Sequence, residues 1–454
     1  MKRLALLAAC TLAACSHVPP APAPDAPIEM PASWRTLLGP KAELQHDWWE
    51  RFGDPVLTRY VEAALAHNTD VATAAARVEE ARGQEQVARA LLLPTLDLGV
   101  TANRAQSLGP FGKTSVATTV QPLFQAAYEV DLFGRVHEQV AAARASVRSA
   151  EDARDAAALS VAATTASSYI TLRALDARLR ILRETVQSRA EAVRLARARA
   201  EIGYTSDLEW RQSQAEYEGI AQQVPATQLA IERQEHAIAL LTGMPPQDIA
   251  RGRALSQLQL PAIPEGLPSD LLRRRPDIAQ AEEALAAADA SLAVARAQFL
   301  PTLRLTGTAG QLFVSTLGGG PVNIWSIGAS VLAPIFEGGR LEGQYGSAEA
   351  RRVQAALAYR RAVLVALREV EDNLSAVART REQKVRLQAQ RDVLADVVRH
   401  AGNRYRAGYS PYLEQLDAER NMLNAELALL QASSDELNAL VALSQALGGG
   451  WAAP

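Results

Sequence analysis

The sequence predicts a mostly α chain with transmembrane β strands, built from two internal repeats. Three observations predict it. Blocks of residues recur at a nearly constant offset, two pairs of segments alternate apolar and polar residues, and much of the remainder carries apolar seams at spacings of three and four. Composition agrees: hydrophobic residues make up 48% of the 454 and aromatic residues only 5%, so the apolar share falls on Ala, Leu and Val, which suit long, closely packed helices.

At the N-terminus Lys2 and Arg3 precede an apolar stretch, Leu4 to Ala14, interrupted only by Thr11. It is too short to span a bilayer and has the form of a secretory leader over residues 1–14. Leu12-Ala13-Ala14-Cys15 reads as a bacterial lipobox, so Cys15 is expected to become the lipidated first residue of the mature protein, bearing N-acyl and S-diacylglycerol chains. Ser16, not being Asp, directs such a lipoprotein to the outer membrane. The competing reading is a plain leader with an incidental cysteine. Cys10 leaves with the leader, and with no third cysteine the body has no disulfide and no thiolate metal site. Residues 15–31, rich in Pro and Ala, read as an extended tether, and 32–67 as a segment preceding the first repeat. The formal charge of -3 becomes about -5 after leader removal, with 45 basic against 50 acidic residues, so no basic field exists for nucleic acid.

Asp70-Val71-Ala72 and Ala88-Arg89-Ala90 with Leu93-Pro94-Thr95-Leu96 recur as Asp277-Ile278-Ala279 and Ala295-Arg296-Ala297 with Leu300-Pro301-Thr302-Leu303, an offset of 207. Further along, Gly203-Tyr204 matches Gly408-Tyr409, Leu208-Glu209 matches Leu413-Glu414 and Gly243 matches Gly448, at 205. Two repeats follow, 68–243 and 275–448, with residues 244–274, containing Pro261, Pro264 and Pro268, between them and 449–454 as a tail.

Each repeat predicts a helix, a β-hairpin (95–133 and 302–336) and a coiled-coil hairpin (135–243 and 340–447). In the second strand Val116, Val120, Phe124, Tyr128 and Val130 share one face while Ser115, Thr119, Gln121, Gln125 and Glu129 share the other. Leu96, Leu98 and Val100 alternate in the first strand, Leu303 and Leu305 in the third, and Trp325, Ile327, Val331 and Ile335 share a face in the fourth. Such alternation fits a transmembrane barrel and equally an ordinary half-buried sheet. If the strands span, four cannot close a barrel, because unpaired backbone groups in hydrocarbon cost several kcal/mol each, so more than one copy is required. Leu172, Leu175, Leu179, Leu182 and Val186, and again Val363, Leu367, Val370, Leu374 and Val377, mark coiled-coil seams on helices long enough to reach on the order of 100 Å. The shorter helices of a repeat sum to nearly that length, which favours a cylindrical wall; a pair of ordinary antiparallel coiled coils explains the seams alone.

The tether, the duplication, the strand pairs and the turns Glu201-Ile202-Gly203-Tyr204-Thr205-Ser206-Asp207-Leu208 and Arg404-Tyr405-Arg406-Ala407-Gly408-Tyr409-Ser410-Pro411 together resemble the TolC-like outer membrane factors, in particular their lipoprotein efflux branch. The resemblance implies a homotrimer with a twelve-stranded β-barrel in outer-membrane lipid, four strands from each chain, continued by a long α-helical barrel through the periplasm. Residues 32–67 and 244–274 would then form an equatorial belt. It further implies that the tips, Gly203, Tyr204, Thr205, Ser206 and Gly408, Tyr409, Ser410, Pro411, meet a periplasmic adaptor protein that joins an inner-membrane efflux transporter. Gly203 and Gly408 fit turn positions of positive φ, and Ser206 and Ser410 are candidate N-caps for the returning helices. Leu413 and Asp417 match the family's gating positions, where three copies would form an apolar and an acidic ring; an ordinary solvated Asp is the other reading. The first repeat has Leu208 but Gln212 at the matching places.

Gly112-Lys113-Thr114 resembles the end of a phosphate loop, but Ser107 stands where Gly is required and the segment lies between strands. The histidines at 17, 46, 67, 137, 236 and 400 have no ligand spacing, and no nucleophile motif occurs. The expectation is a non-enzymatic passive efflux channel with no cofactor beyond the lipid on Cys15. An exit channel for type I protein secretion and a periplasmic structural coiled-coil lipoprotein are the alternatives.

Overall fold

In a computed structural model the described residues are 30–36, 47–108, 112, 114–262, 268, 271–316 and 320–449. Cys15, the leader and the tether up to residue 29 lie outside them, as does the tail beyond residue 449. After a 3₁₀ turn at Trp48–Phe52 come α1 (Pro55–His67), α2 (Thr69–Ala90), β1 (Thr95–Leu108), β2 (Thr114–Val130), α3 (Arg135–Glu201), α4 (Asp207–Ala221) and α5 (Gln223–Leu241). The second half holds α6 (Leu271–Arg274), α7 (Pro276–Ala297), β3 (Thr302–Val314), β4 (Val322–Leu332), α8 (Arg340–Arg406) and α9 (Tyr412–Ala446). Helices α3 and α8 are each 67 residues long. Neither contains proline, and both run between glycines of positive φ: Gly134 and Gly203 for the first, Gly339 and Gly408 for the second.

The returning helix of the first repeat is broken where one helix was expected. Pro225 has no N–H for the carbonyl of Ala221, and its ring crowds that carbonyl, so α4 ends there and α5 restarts at Gln223. In the second repeat α9 runs unbroken for 35 residues.

The chain divides into two compact units, one within residues 77–151 and 280–360 and the other within 29–76, 152–279 and 361–454. The first contains the antiparallel sheet, in the order β1-β2-β3-β4. Its registers put Leu98, Phe124, Ala309 and Trp325 in one row across all four strands, with Leu96, Ala126, Gly307 and Ile327 in the next. Thr95, Ala127, Thr306 and Gly328 form a row on the opposite face. Among the described residues no layer covers the apolar face: Trp325 is 76% and Ile327 84% exposed, and Leu98 and Phe124 are also open. An ordinary half-buried sheet would cover such a face. Beneath the sheet, ion pairs join the helices in series, with Arg82–Glu151 at 2.7 Å, Arg148–Glu283 at 2.7 Å and Arg352–Asp289 at 2.6 Å.

In the second unit, Trp48 and Phe52 meet edge to face at 6.3 Å and both are buried. The carboxylate of Asp54, buried, accepts from Val56 N (2.9 Å), Arg253 N (2.8 Å) and the Tyr169 hydroxyl (3.0 Å), and that hydroxyl accepts from Gly252 N (2.8 Å). Thus the segment before the first repeat holds the segment between the repeats against α3. A Cβ on Gly252 would fall 2.1 Å from Asp54 Oδ1, so a side chain there would push the Asp54 carboxylate out of these bonds.

Each repeat also closes on itself. Asn68 Nδ2 donates to the last carbonyl of α5, at Leu241 (2.9 Å), and Arg275 Nη1 donates to the last carbonyl of α9, at Ala446 (3.1 Å). Gly243 and Gly448, at φ 70° and 91°, then turn the chain against the carbonyls of His67 and Arg274.

Candidate functional site

Both expected turns end their long helices with the same hydrogen bonds. In the first, Gly203 N donates to Ala200 O (3.0 Å) and Tyr204 N to Arg199 O (2.9 Å). In the second, Gly408 N donates to Tyr405 O (3.0 Å) and Tyr409 N to Arg404 O (2.9 Å). These are Schellman closures, and the glycines take φ of 73° and 76°, values that a Cβ disfavours.

The restart of the helices differs. Ser206 caps α4, accepting from Glu209 N. Ser410 does not cap α9. The N-cap there is Pro411, with no side-chain bond, and Ser410 Oγ is buried without a hydrogen-bond partner. The offset of 205 between the repeats accounts for this: Ser410 corresponds to Thr205, whose hydroxyl is likewise buried and unbonded, and the counterpart of Ser206 is Pro411.

The two turns are tied together. Arg199 Nη1 donates to the Tyr405 hydroxyl (3.0 Å), which donates in turn to the Glu209 carboxylate. The Tyr405 ring lies 5.5 Å from that of Tyr412 and 5.4 Å from the Arg199 guanidinium. Burial, with the hydrogen bond and charge of Glu209, raises the Tyr405 phenol to about 12. Arg404 pairs with Glu414 (3.1 Å), and deeper along the hairpins Arg420 pairs with the buried Glu216 (2.7 Å) and buried Arg189 with Glu419. The first of these pairs closes the second turn on itself, whereas Arg420–Glu216 and Arg189–Glu419 hold the first hairpin to the second.

Leu413 and Asp417 stand one turn apart on α9 and both are exposed. Asp417 Oδ2 accepts from Asn421 Nδ2 (3.2 Å), while its neighbour Arg420 is committed to Glu216. On α4 the corresponding Leu208 is exposed as well. Tyr204 and Tyr409 project from the turns.

The family model described as "Outer membrane efflux protein" matches this chain over residues 60–244 and again over 267–449. The chain belongs to the outer membrane efflux protein family. Among its relatives, "Antibiotic efflux pump outer membrane protein ArpC" of Pseudomonas putida is 34% identical over 458 residues, covering 97% of this chain and 93% of the relative. "Outer membrane protein OprJ" of Pseudomonas aeruginosa is 34% identical over 465 residues, covering 98% and 95%. Solved members share the fold. The CmeC outer membrane channel of Campylobacter jejuni superposes with a TM-score of 0.88 at 27% identity over 96% of this chain and 95% of that one. The open MtrE outer membrane channel of Neisseria gonorrhoeae gives 0.84 at 30% identity over 95% and 98%. This member of the family is therefore an outer membrane efflux protein with the TolC-like fold.

Sequence reasoning reached the glycines of the turns but not the groups that join them. Tyr405 lies 206 residues from Arg199 and 196 from Glu209, and the available signal was position: Tyr405 falls three residues before a turn glycine and Arg199 four before its equivalent.

Proposed function

We propose that three copies of this chain form an outer membrane channel that passively conducts small compounds to the exterior, delivered by a periplasmic adaptor and an inner-membrane efflux transporter. The observation that carries this reading is the uncovered sheet. Its apolar face suits lipid and its opposite face suits water, yet β1 and β4 are left as edges. Inside hydrocarbon those edges need partners, and further copies, each pairing β4 with the next β1, supply them. Three copies give the twelve strands that the family resemblance implies.

In that assembly Leu413 and Asp417 of each copy narrow the periplasmic mouth as an apolar ring and an acidic ring, and the turns around Gly203 and Gly408 meet the adaptor. Cys15, acylated, anchors the chain to the same membrane. The energy comes from the transporter, so the channel needs no catalytic group. The relatives named as efflux components favour small compounds over proteins as cargo.

Purification in detergent tests the assembly: a trimer with heat-modifiable β structure is expected, and a monomer independent of detergent overturns it. Deletion of the gene tests the cargo. Raised retention of dyes, drugs or metal ions with an unchanged set of secreted proteins is expected, whereas loss of a secreted protein with normal retention moves the function to protein export. Labelling with palmitate should disappear on Cys15→Ala.

A further inference from the structure

The chain leaves each repeat through the same closure. Past α5, Gly243 N donates to Leu240 O (3.1 Å) and Met244 N to Ala239 O (2.8 Å); past α9, Gly448 N donates to Gln445 O (2.9 Å) and Gly449 N to Ser444 O (2.9 Å). After the first closure the chain is laid back on its own unit: Ile249 is buried, and Ala250 N donates to the Tyr60 hydroxyl (2.8 Å). After the second, the described chain stops at Gly449, on the wall of a cavity of about 260 Å³ in that same unit. Trp48, Trp49, Leu65, Ala158, Leu159 and Ala162 supply its apolar lining. The rings of Trp48 and Trp49 meet edge to face at 5.6 Å, and a cavity of about 150 Å³ already takes a benzene ring, so the space admits an aromatic side chain. One polar group is left over. Trp48 is 2% exposed, and its indole N–H has no hydrogen-bond partner among the described residues. A buried donor without an acceptor is costly, so the cavity suits an occupant that is apolar and brings an acceptor. A cation gains little there, because the carboxylate on the wall, Asp155, pairs with Arg154 at 2.6 Å.

We propose that the side chain of Trp451 docks in this cavity, with a main-chain carbonyl of residues 450–453 accepting from Trp48 Nε1. Gly450, Trp451, Ala452, Ala453 and Pro454 carry one large side chain and no side-chain charge, and each peptide carbonyl is an acceptor. Trp451 stands two residues beyond Gly449, and two residues span at most about 7 Å, so its ring is within reach of a cavity that Gly449 itself lines. The backbone already comes close to the unpaired donor: a Cβ on Gly449 would lie 3.4 Å from Trp48 Nε1 and 2.2 Å from Leu159 Cδ1. Docking fastens the segment after the second repeat to the segment before the first, with α3 as their common support.

The test uses the detergent-solubilised full chain. A benzophenone side chain placed at position 451 should, on illumination, attach within the same chain to residues 48–65 or 155–162, located by peptide mass. Attachment to a second copy, to residues 37–46 or to detergent alone overturns the proposal. A second measurement reads the wall of the cavity. In Ala158→Cys, alkylation at position 158 should be slow with Trp451 in place, at least about tenfold faster once Trp451→Ala is added, and within about threefold of the starting rate with Trp451→Phe, whose ring still fills the space. Rapid alkylation with Trp451 in place shows an open cavity, and a slow rate that Trp451→Ala leaves unchanged shows a different occupant; either result overturns the proposal. Should Ala158→Cys fail to accumulate, Leu65→Cys on the same wall takes its place.

Discussion

The two repeats close with the same backbone geometry but different side chains. In the first, Asn68 donates to Leu241 O through Nδ2 while its Oδ1 accepts from Asp70 N (2.8 Å), capping α2. In the second, Arg275 donates to Ala446 O and pairs with Asp277 at 2.7 Å and Glu369 at 2.8 Å. Burial disfavours the Arg275 charge, but the bonds and charges of those two carboxylates more than offset it, and its pKa is raised. The closing glycine, however, is the same in both repeats. Any donor of adequate reach can satisfy a helix-end carbonyl, whereas no side chain fits where one backbone approaches another. The turns repeat the lesson: Gly203 and Gly408 agree, while Ser206 corresponds in sequence to Pro411 and Gln212 to Asp417.

Substitution at the closing glycines breaks the comparison most severely. A Cβ on Gly448 would lie 2.0 Å from Arg274 O and one on Gly243 2.6 Å from His67 O, both at positive φ. Gly448→Ala should cost about 3 kcal/mol or more, and Gly243→Ala about 1–3 kcal/mol, read as thermal melting of the detergent-solubilised protein. Next come the donors. Arg275→Ala should cost about 2–3 kcal/mol, because it strands a carbonyl and two carboxylates that still reach water, and Asn68→Ala about 1–2 kcal/mol. Equal losses for the two donors would show that the charge on Arg275 adds nothing to the closure.

The same contrast explains what could be read from sequence. The long helices were legible because α3 and α8 lack proline and keep their seams for many turns, and the strands because every second residue alternates over more than ten positions. The break at Gln222 was missed because the seam continues past Pro225. Serine favours the cap role, which is why Ser410 looks like a cap in sequence, though the alignment of the turns gives the place to Pro411. The glycines of the turns were legible, since Gly punctuates a chain locally. The ties of Asp54 to Tyr169 and Arg253, and of Tyr405 to Glu209, were not, because a polar pair distant in sequence leaves no periodic trace.

At the turns the expected effects are smaller in free energy but functional. If Asp417 contributes an acidic ring, Asp417→Asn should reduce cation preference in planar bilayers, and Gln212→Glu, at the matching place on α4, should increase it. An unchanged reversal potential in both variants would remove these positions from the pore.

The least expected change is in the tie between the turns. Tyr405→Phe removes the hydroxyl between Arg199 and Glu209, but these two can then pair directly, so the cost should be no more than about 1 kcal/mol. Titration separates the hydroxyl from the ring. Because the folded-state pKa of Tyr405 is raised to about 12, its contribution is complete below the unfolded value near 10 and is lost as pH rises from there through the folded value. The stability difference between the wild type and Tyr405→Phe should therefore stay constant from about pH 6 to 9 and shrink above about pH 10. A difference that instead changes near neutral pH would mean that a group other than this phenol governs the contact between the two hairpins.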